Sequence, residues 1–314
     1  MVDVASCLDI VTSGTVSPDL SLQKRSLQVL TLSQNSLTGR IPVEIFQLQS
    51  LVHLDLSYNM LTGTLPHQLG NLMNLEGLDL SYNSLSGPIP DTIGQLGLLQ
   101  KIDLSSNALT GALPSSIGNL SSLAFMALSS NKFSGYFPQG LERLQNLQYF
   151  IMDDNPMFIP LPSLFSRLTR LQELRLANSG YTGTIPPTFS QLSNLSTLSL
   201  QNNRLNGEIP ASLSNMSHMY HLNLSSNLLV GVVPFNSSFL NRLGRNLDLS
   251  GNSGLCLSPA QEHDIKIGVA VCGVNASLVM PLKSEADLRL FGSYVVMIFF
   301  AGIIHHILLL LVYL

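Results

Sequence analysis

Leucine recurs along most of this chain at a spacing of 24 residues. Leu27, Leu51, Leu75, Leu99, Leu123, Leu147, Leu171 and Leu195 are evenly placed, and Met219 continues the row. Eight positions after each come Asn35, Asn59, Asn83, Asn107, Asn131, Asn155, Ser179, Asn203 and Asn227. A tenth unit slips by one residue, starting near Gly244 and reaching Asn252. One unit reads LxxLxLxxNxLxGxIP, as in LVHLDLSYNMLTGTLP from Leu51 to Pro66. The LxL core alternates with period two, which predicts a short strand with leucines inward and variable residues outward. The asparagine falls where the chain turns inside the stack, and its amide carries donors and an acceptor for buried backbone groups. Ser179 has less to offer, so the seventh unit is expected to be locally weaker. Glycine allows a positive φ, and proline suits the bend that follows, where no backbone donor is needed. No unit buries its leucines alone, whereas a stack does. Ten parallel strands about 4.8 Å apart predict a concave sheet roughly 45 Å long.

This pattern predicts an α/β leucine-rich-repeat solenoid. Its LxGxIP half resembles the plant-specific class of such repeats across about residues 14 to 256. The resemblance implies a right-handed twisted horseshoe with a parallel concave sheet, a second short strand after the glycine, and 3₁₀ segments on the convex side. The irregular sixth unit YFIMDDNPMFIPLP, the following LANSGYTGTIP and the ending VVPFNSSFLNRLGRNLDLSGNSGLC narrow the match. These segments resemble plant extracellular receptor-like proteins that lack a kinase domain. That family implies a recognition protein held on the extracellular side of the plasma membrane. Its expected partners are a leucine-rich-repeat receptor kinase, a secreted peptide ligand, or both. A rival reading is a secreted inhibitor of cell-wall-degrading enzymes such as polygalacturonases, and a third is the extracellular fragment of a receptor kinase. The family's N-terminal cap, with paired cysteines and tryptophan, has no counterpart here, so a truncated start is expected.

The expected organisation is a partial repeat at 1–26, nine repeats at 27–243, a terminal repeat and cap at 244–273, a polar spacer at 274–289 and an apolar segment at 290–314. Leu290 to Leu314 is 25 residues without Asp, Glu, Lys or Arg, more than the roughly 20 that span a bilayer. No basic residues follow it, as they would on the cytoplasmic side of a span. Small residues at Asn275, Ala276 and Ser277, a spacer and an apolar end match a glycosylphosphatidylinositol signal instead, with Asn275 as the candidate attachment site. The start of the chain shows no secretory signal.

Charged residues are 11% of the chain and the net charge is −4, which gives nucleic acid no electrostatic footprint. There is no glycine-rich phosphate loop and no kinase signature. His218 and His221 lie near each other without a third ligand, so no metal, cofactor or catalytic residue is expected. The three cysteines are Cys7, Cys256 and Cys272. Cys7 reads either as an orphan of the missing cap or as a small buried residue. Cys256 and Cys272 flank the end of the repeats, as two free thiols or as a disulfide closing the cap. Export of the repeat class favours the bond.

Partner contact is expected on the outward strand positions. Asp55, Asp79 and Asp103 share one slot in consecutive units, where LDLS is also repeat consensus. The consensus breaks next, placing Phe125, Ala127, Tyr149 and Ile151 outward on adjacent strands. Contiguous apolar groups in water mark partner surfaces. Tyr58 and Tyr82 are expected further along the same face, with Asp153, Asp154 and Arg175 as a polar rim. The sixth unit has Ile159 in its glycine slot and adds Pro156, Pro160 and Pro162, which predicts an outer loop off the regular path, a contact loop or a tolerated flaw. Glycosylation sequons stand at Asn119, Asn194, Asn215, Asn223, Asn236 and Asn275. Asn223, between Leu222 and Leu224, is expected to point from the concave face.

Overall fold

The computed structural model of the chain describes residues 27–259 and 267–273. The expectations for the N-terminal partial repeat, Cys7, the polar spacer, Asn275 and the apolar segment therefore lie outside the described residues.

Each unit contributes one short strand to a ten-stranded sheet. In chain order these are β1 (Val29–Thr31), β3 (His53–Asp55), β5 (Gly77–Asp79), β7 (Lys101–Asp103), β9 (Phe125–Ala127), β11 (Tyr149–Ile151), β12 (Glu173–Arg175), β14 (Thr197–Ser199), β16 (His221–Asn223) and β18 (Leu247–Asp248). All neighbours are parallel, and the register pairs equivalent residues: Leu30 with Leu54, Leu54 with Leu78, Leu174 with Leu198. A 24-residue period makes that register inevitable once the leucines share one interior. Leu54, Leu78, Ile102, Met126, Phe150, Leu174, Leu198 and Leu222 are all buried in a single continuous core. In the fifth to seventh units several core positions are phenylalanine. Phe137, Phe150, Phe165 and Phe189 pack in edge or tilted contacts with ring centroids 5.1–6.4 Å apart.

After the asparagine the chain forms a second strand in most units. These make a five-stranded sheet of β2 (Thr38–Arg40), β4 (Met60–Thr64), β6 (Ser84–Gly87), β8 (Ala108–Gly111) and β10 (Lys132–Phe133). A four-stranded sheet holds β13 (Thr182–Gly183), β15 (Arg204–Gly207), β17 (Leu228–Val232) and β19 (Gly254–Cys256). The sixth unit separates them. Its prolines remove ladder donors, and only an isolated bridge from Pro160 to Thr182 remains.

A five-residue 3₁₀ turn then closes each of the first eight units, from Val43–Gln47 to Ala211–Asn215. Each follows an extended proline, such as Pro66 at ψ 152° or Pro114 at ψ 149°. In the ninth unit a true helix, α1 (Ser237–Leu243), takes this place. The Asn236 side chain caps it by accepting from Phe239 N at 2.8 Å, and Phe239, Leu240 and Leu243 face the core. The sequence pattern did not predict this helix, because its three apolar residues are too few to establish a helical period. The one-residue slip of the tenth unit follows it.

The asparagines form the expected ladder. Asn131 Nδ2 donates to Leu104 O, Leu128 O and Ser129 O at 2.9–3.2 Å, and its Oδ1 accepts from Leu109 N at 3.0 Å. One amide thus serves two adjacent coils, its own and the one before it. Ser179 replaces this set with a donation to Ala177 O at 2.7 Å and an acceptance from Asn155 N at 3.2 Å. The cap is closed by a disulfide between Cys256 and Cys272, with Cα atoms 4.9 Å apart.

Candidate partner-binding surface

The outward strand positions form two columns on the concave sheet. The first runs His53, Gly77, Lys101, Phe125, Tyr149, Glu173, Thr197, His221; the second runs Asp55, Asp79, Asp103, Ala127, Ile151, Arg175, Ser199, Asn223. An acidic stretch therefore meets an apolar one at β9 and β11.

The apolar stretch is flatter than expected. Phe125, Tyr149 and Ile151 are half-buried, and Ala127 is buried at 3% exposure, so Ala127 drops out of the contact surface. A side chain of one methyl group is covered by its longer neighbours. The Phe125 and Tyr149 rings lie 5.9 Å apart, and Lys101 Nζ sits 5.6 Å from the Phe125 centroid. Tyr149 Oη donates to Gln172 Oε1 at 3.2 Å, which fixes the ring. The result is a pre-shaped apolar floor at the middle of the face.

The acids have a structural task. Asp55 Oδ1 accepts from both N and Oγ of Ser57, and Asp79 does the same with Ser81. Asp103 Oδ1 accepts from Ser105 N at 3.0 Å. Burial, opposed by that bond, leaves the Asp103 carboxyl above its ordinary range, and neighbouring Asp79 adds to the rise. Lys101 is within 3.2 Å of Asp79 Oδ2. Both groups are solvent-exposed enough that the pair contributes little stability.

Tyr58 and Tyr82 lie off the concave strands, contrary to expectation. They occupy the turn just before the ladder asparagine, at φ 52° and 53°. Every unit from the first to the ninth holds a non-glycine residue in this left-handed slot, from Gln34 to Ser226. Asn, Asp and Ser tolerate it, whereas a bulky ring rarely adopts it. The two rings stack at 4.2 Å and 10° and remain 46% and 49% exposed. Burial and the Tyr82 hydroxyl, helped by Asp79 and Asp103, push the Tyr58 hydroxyl up to about 12. They extend the surface along its flank.

The expected rim is reordered too. Asp153 is buried at 3% exposure, where it accepts from Arg175 Nε at 2.8 Å and from Ala177 N at 2.7 Å. Desolvation raises its carboxyl despite these partners. Only Arg175 and Asp154 present themselves to solvent. Further along, His221 is half-buried, and burial first, then the charge of Arg175, hold its imidazole below the ordinary value. His218 Nδ1 is 2.8 Å from Ser193 O, a coil-to-coil contact. No cluster of metal-ligating side chains exists among the described residues.

Asn119, Asn194 and Asn215 are exposed on the convex connections. Asn194 Nδ2, the nitrogen a glycan would take, donates to Thr169 O at 2.8 Å. Asn236 caps α1 through its oxygen, and Asn223 Oδ1 accepts from Ser225 N and Oγ, bonds that do not use the nitrogen of either amide.

Two forms of the pattern described as leucine rich repeat match the chain, one at residues 25–85 and 97–157, the other at 170–192 and 194–216. Together they take in more than half of it. The chain belongs to the leucine-rich-repeat family. Receptor like protein 29 of Arabidopsis thaliana is 66% identical over 44 residues, 14% of this chain and 10% of that relative. The solved plant peptide hormone receptor RGFR1, in complex with RGF2, is 36% identical with a TM-score of 0.68. The match covers 74% of this chain and 36% of the receptor. A plant ice-binding protein is 28% identical with a TM-score of 0.66, covering 82% of this chain and 80% of that one. These likenesses bear out the resemblance to plant extracellular leucine-rich-repeat receptor-like proteins. The chain spans about a third of the RGFR1 receptor's length, and its match to the curated relative spans a tenth. Because an ice-binding protein shares the same leucine-rich-repeat fold, function has to be argued from the surface.

Proposed function

We propose that the chain is the extracellular recognition part of a membrane-tethered receptor-like protein without a kinase of its own. Its concave face takes a secreted peptide, a leucine-rich-repeat receptor kinase, or both. The observation that carries this reading is the apolar floor of Phe125, Tyr149 and Ile151 between the acids of the second to fourth units and Arg175 of the seventh. A binding face needs a desolvated apolar centre with polar margins. Here those margins are Asp103 with Lys101 on one side and Arg175 with Glu173 on the other. Likeness to a peptide hormone receptor supports a peptide as ligand. The uncharged C-terminal stretch supports tethering, by lipid anchor or span.

The test is affinity capture from plant membranes with the whole protein, comparing wild type with the Tyr149→Asp, Ile151→Asp double variant. Both side chains point out of the sheet, so the fold tolerates the change. Capture of the partner is expected to fall by about thirtyfold or more, the loss of ~2 kcal/mol at a central contact. Undiminished capture by a variant of unchanged melting temperature refutes the apolar floor as the contact.

A further inference from the structure

The sixth unit, where the second sheet is interrupted, leaves a groove on the flank of the solenoid. It has a volume of about 580 Å³ and is lined by residues of the sixth to eighth units. None of the lining residues belongs to a concave strand, and the groove adjoins the surface proposed above only at Asp154. We infer that it binds an oligosaccharide.

The argument begins with Phe158. Its backbone stands at φ 48°, and its ring is 60% exposed. The ring lies against Gly180: a Cβ there would fall 2.4 Å from Phe158 Cδ1. Gly180 itself has φ +71°, so glycine is required on both counts. The Arg204 guanidinium stands 5.7 Å from the ring centroid. The ring is thus held in place while most of it stays exposed. A fixed, exposed aromatic ring is a poor core residue and a good platform for the C–H face of a sugar ring.

Polar groups converge on the same groove. Asp154, Asn178 and Asn202 occupy the left-handed slot in three consecutive units, at φ 58°, 52° and 55°. Their backbone N–H groups are used, donating to Ala177 O, Gln201 O and Ser225 O at 3.0–3.1 Å. Their side chains have no hydrogen-bond partner among the described residues and are exposed. The result is a row of one carboxylate and two amides, one per unit, at a pitch of ~4.8 Å. That pitch is close to the length of a pyranose ring. Planar groups carrying donors and acceptors match pairs of adjacent hydroxyls, each of which is both donor and acceptor. An apolar peptide would leave these groups unpaired. A compact phosphate would meet Asp154.

The shared chemistry is that of linked pyranoses, and two sources are open: a neutral glycan, or an acidic one whose carboxylate pairs with Arg204. The test is calorimetric titration of the full chain with cellohexaose and, separately, with hexagalacturonate. Wild type, Phe158→Ala and the Asn178→Gly, Asn202→Gly double variant are compared. Glycine keeps the left-handed turn while removing the amide, and Phe158 supports no core, so melting temperatures are expected to be unchanged. Binding of either sugar, weakened about tenfold by each variant, supports the site. If hexagalacturonate alone binds and Arg204→Gln abolishes it, the acidic form is the ligand. No binding of either at millimolar concentration overturns the proposal. So does binding that both variants leave intact. Neither result touches the concave-face proposal, which is read out by capture through Tyr149 and Ile151.

Discussion

Asp103 and Asn223 do one job with different charge. Each sits in the third position of its strand, and its Oδ1 accepts the backbone N–H two residues on, from Ser105 and Ser225 at 3.0 Å. Asp248 repeats the arrangement with Ser250. The charge of Asp103 is therefore not needed for the turn, and burial opposes it. Its folded pKa is raised, so the ionised form costs folding free energy above that pKa. This cost disappears as pH falls through the folded value towards the unfolded value of about 3.9. Asp103→Asn is expected to leave the turn intact, to raise stability at neutral pH, and to flatten the gain seen on mild acidification. Thermal denaturation followed from pH 7 downward checks it; a variant less stable than wild type at pH 7 contradicts the account. The sequence placed Asp55, Asp79 and Asp103 in one column but could not separate a turn-holding acid from a ligand-binding one, because both roles select the same residue. The same limit hid the burial of Asp153. Its neighbour Arg175 and the Ala177 N–H draw it inward, and neither partner can be read from spacing alone.

Among the elements, the asparagine ladder distinguishes strong units from weak ones. Removing the Asn131 amide takes the side-chain acceptor from the buried Leu109 N–H and one of two donors from each of three carbonyls, those of Leu104, Leu128 and Ser129. Asn131→Ala is expected to cost about 3 kcal/mol, whereas Ser179→Ala loses one hydroxyl and costs ~1 kcal/mol. Chemical denaturation of the two variants gives the comparison, and equal losses contradict the ladder as described. The strands, the ladder, the slipped tenth unit and the irregular sixth were legible because each depends on residues at fixed offsets. The left-handed slot was legible in principle: Asp154, Asn178 and Asn202 recur immediately before the ladder position. Tyr58 and Tyr82 masked the rule by filling that slot with rings. The groove beside Phe158 was not legible, since it depends on where an interrupted strand leaves its side chains.

Across the whole molecule, each unit touches only its neighbours, so stability is local along the stack. The Cys256–Cys272 bond closes a short loop at one end and is expected to contribute ~3 kcal/mol there by loop entropy. In a Cys256→Ser, Cys272→Ser variant, amide exchange should accelerate through β18 and β19 and α1. Protection at β3, β5 and β7 should stay as in wild type. Uniform loss along the chain would mean that the stack unfolds as one block. The interruption at the sixth unit bears on how that stack moves. Elsewhere two ladders rivet each coil to the next, one on the concave side and one beside it. Between β10 and the sixth unit the second ladder is missing, and the concave ladder carries on with only the Asn155 amide beside it. A beam with one flange cut yields at the cut, so any opening or closing of the arc has its hinge there, between the acidic half of the face and the half that carries Arg175.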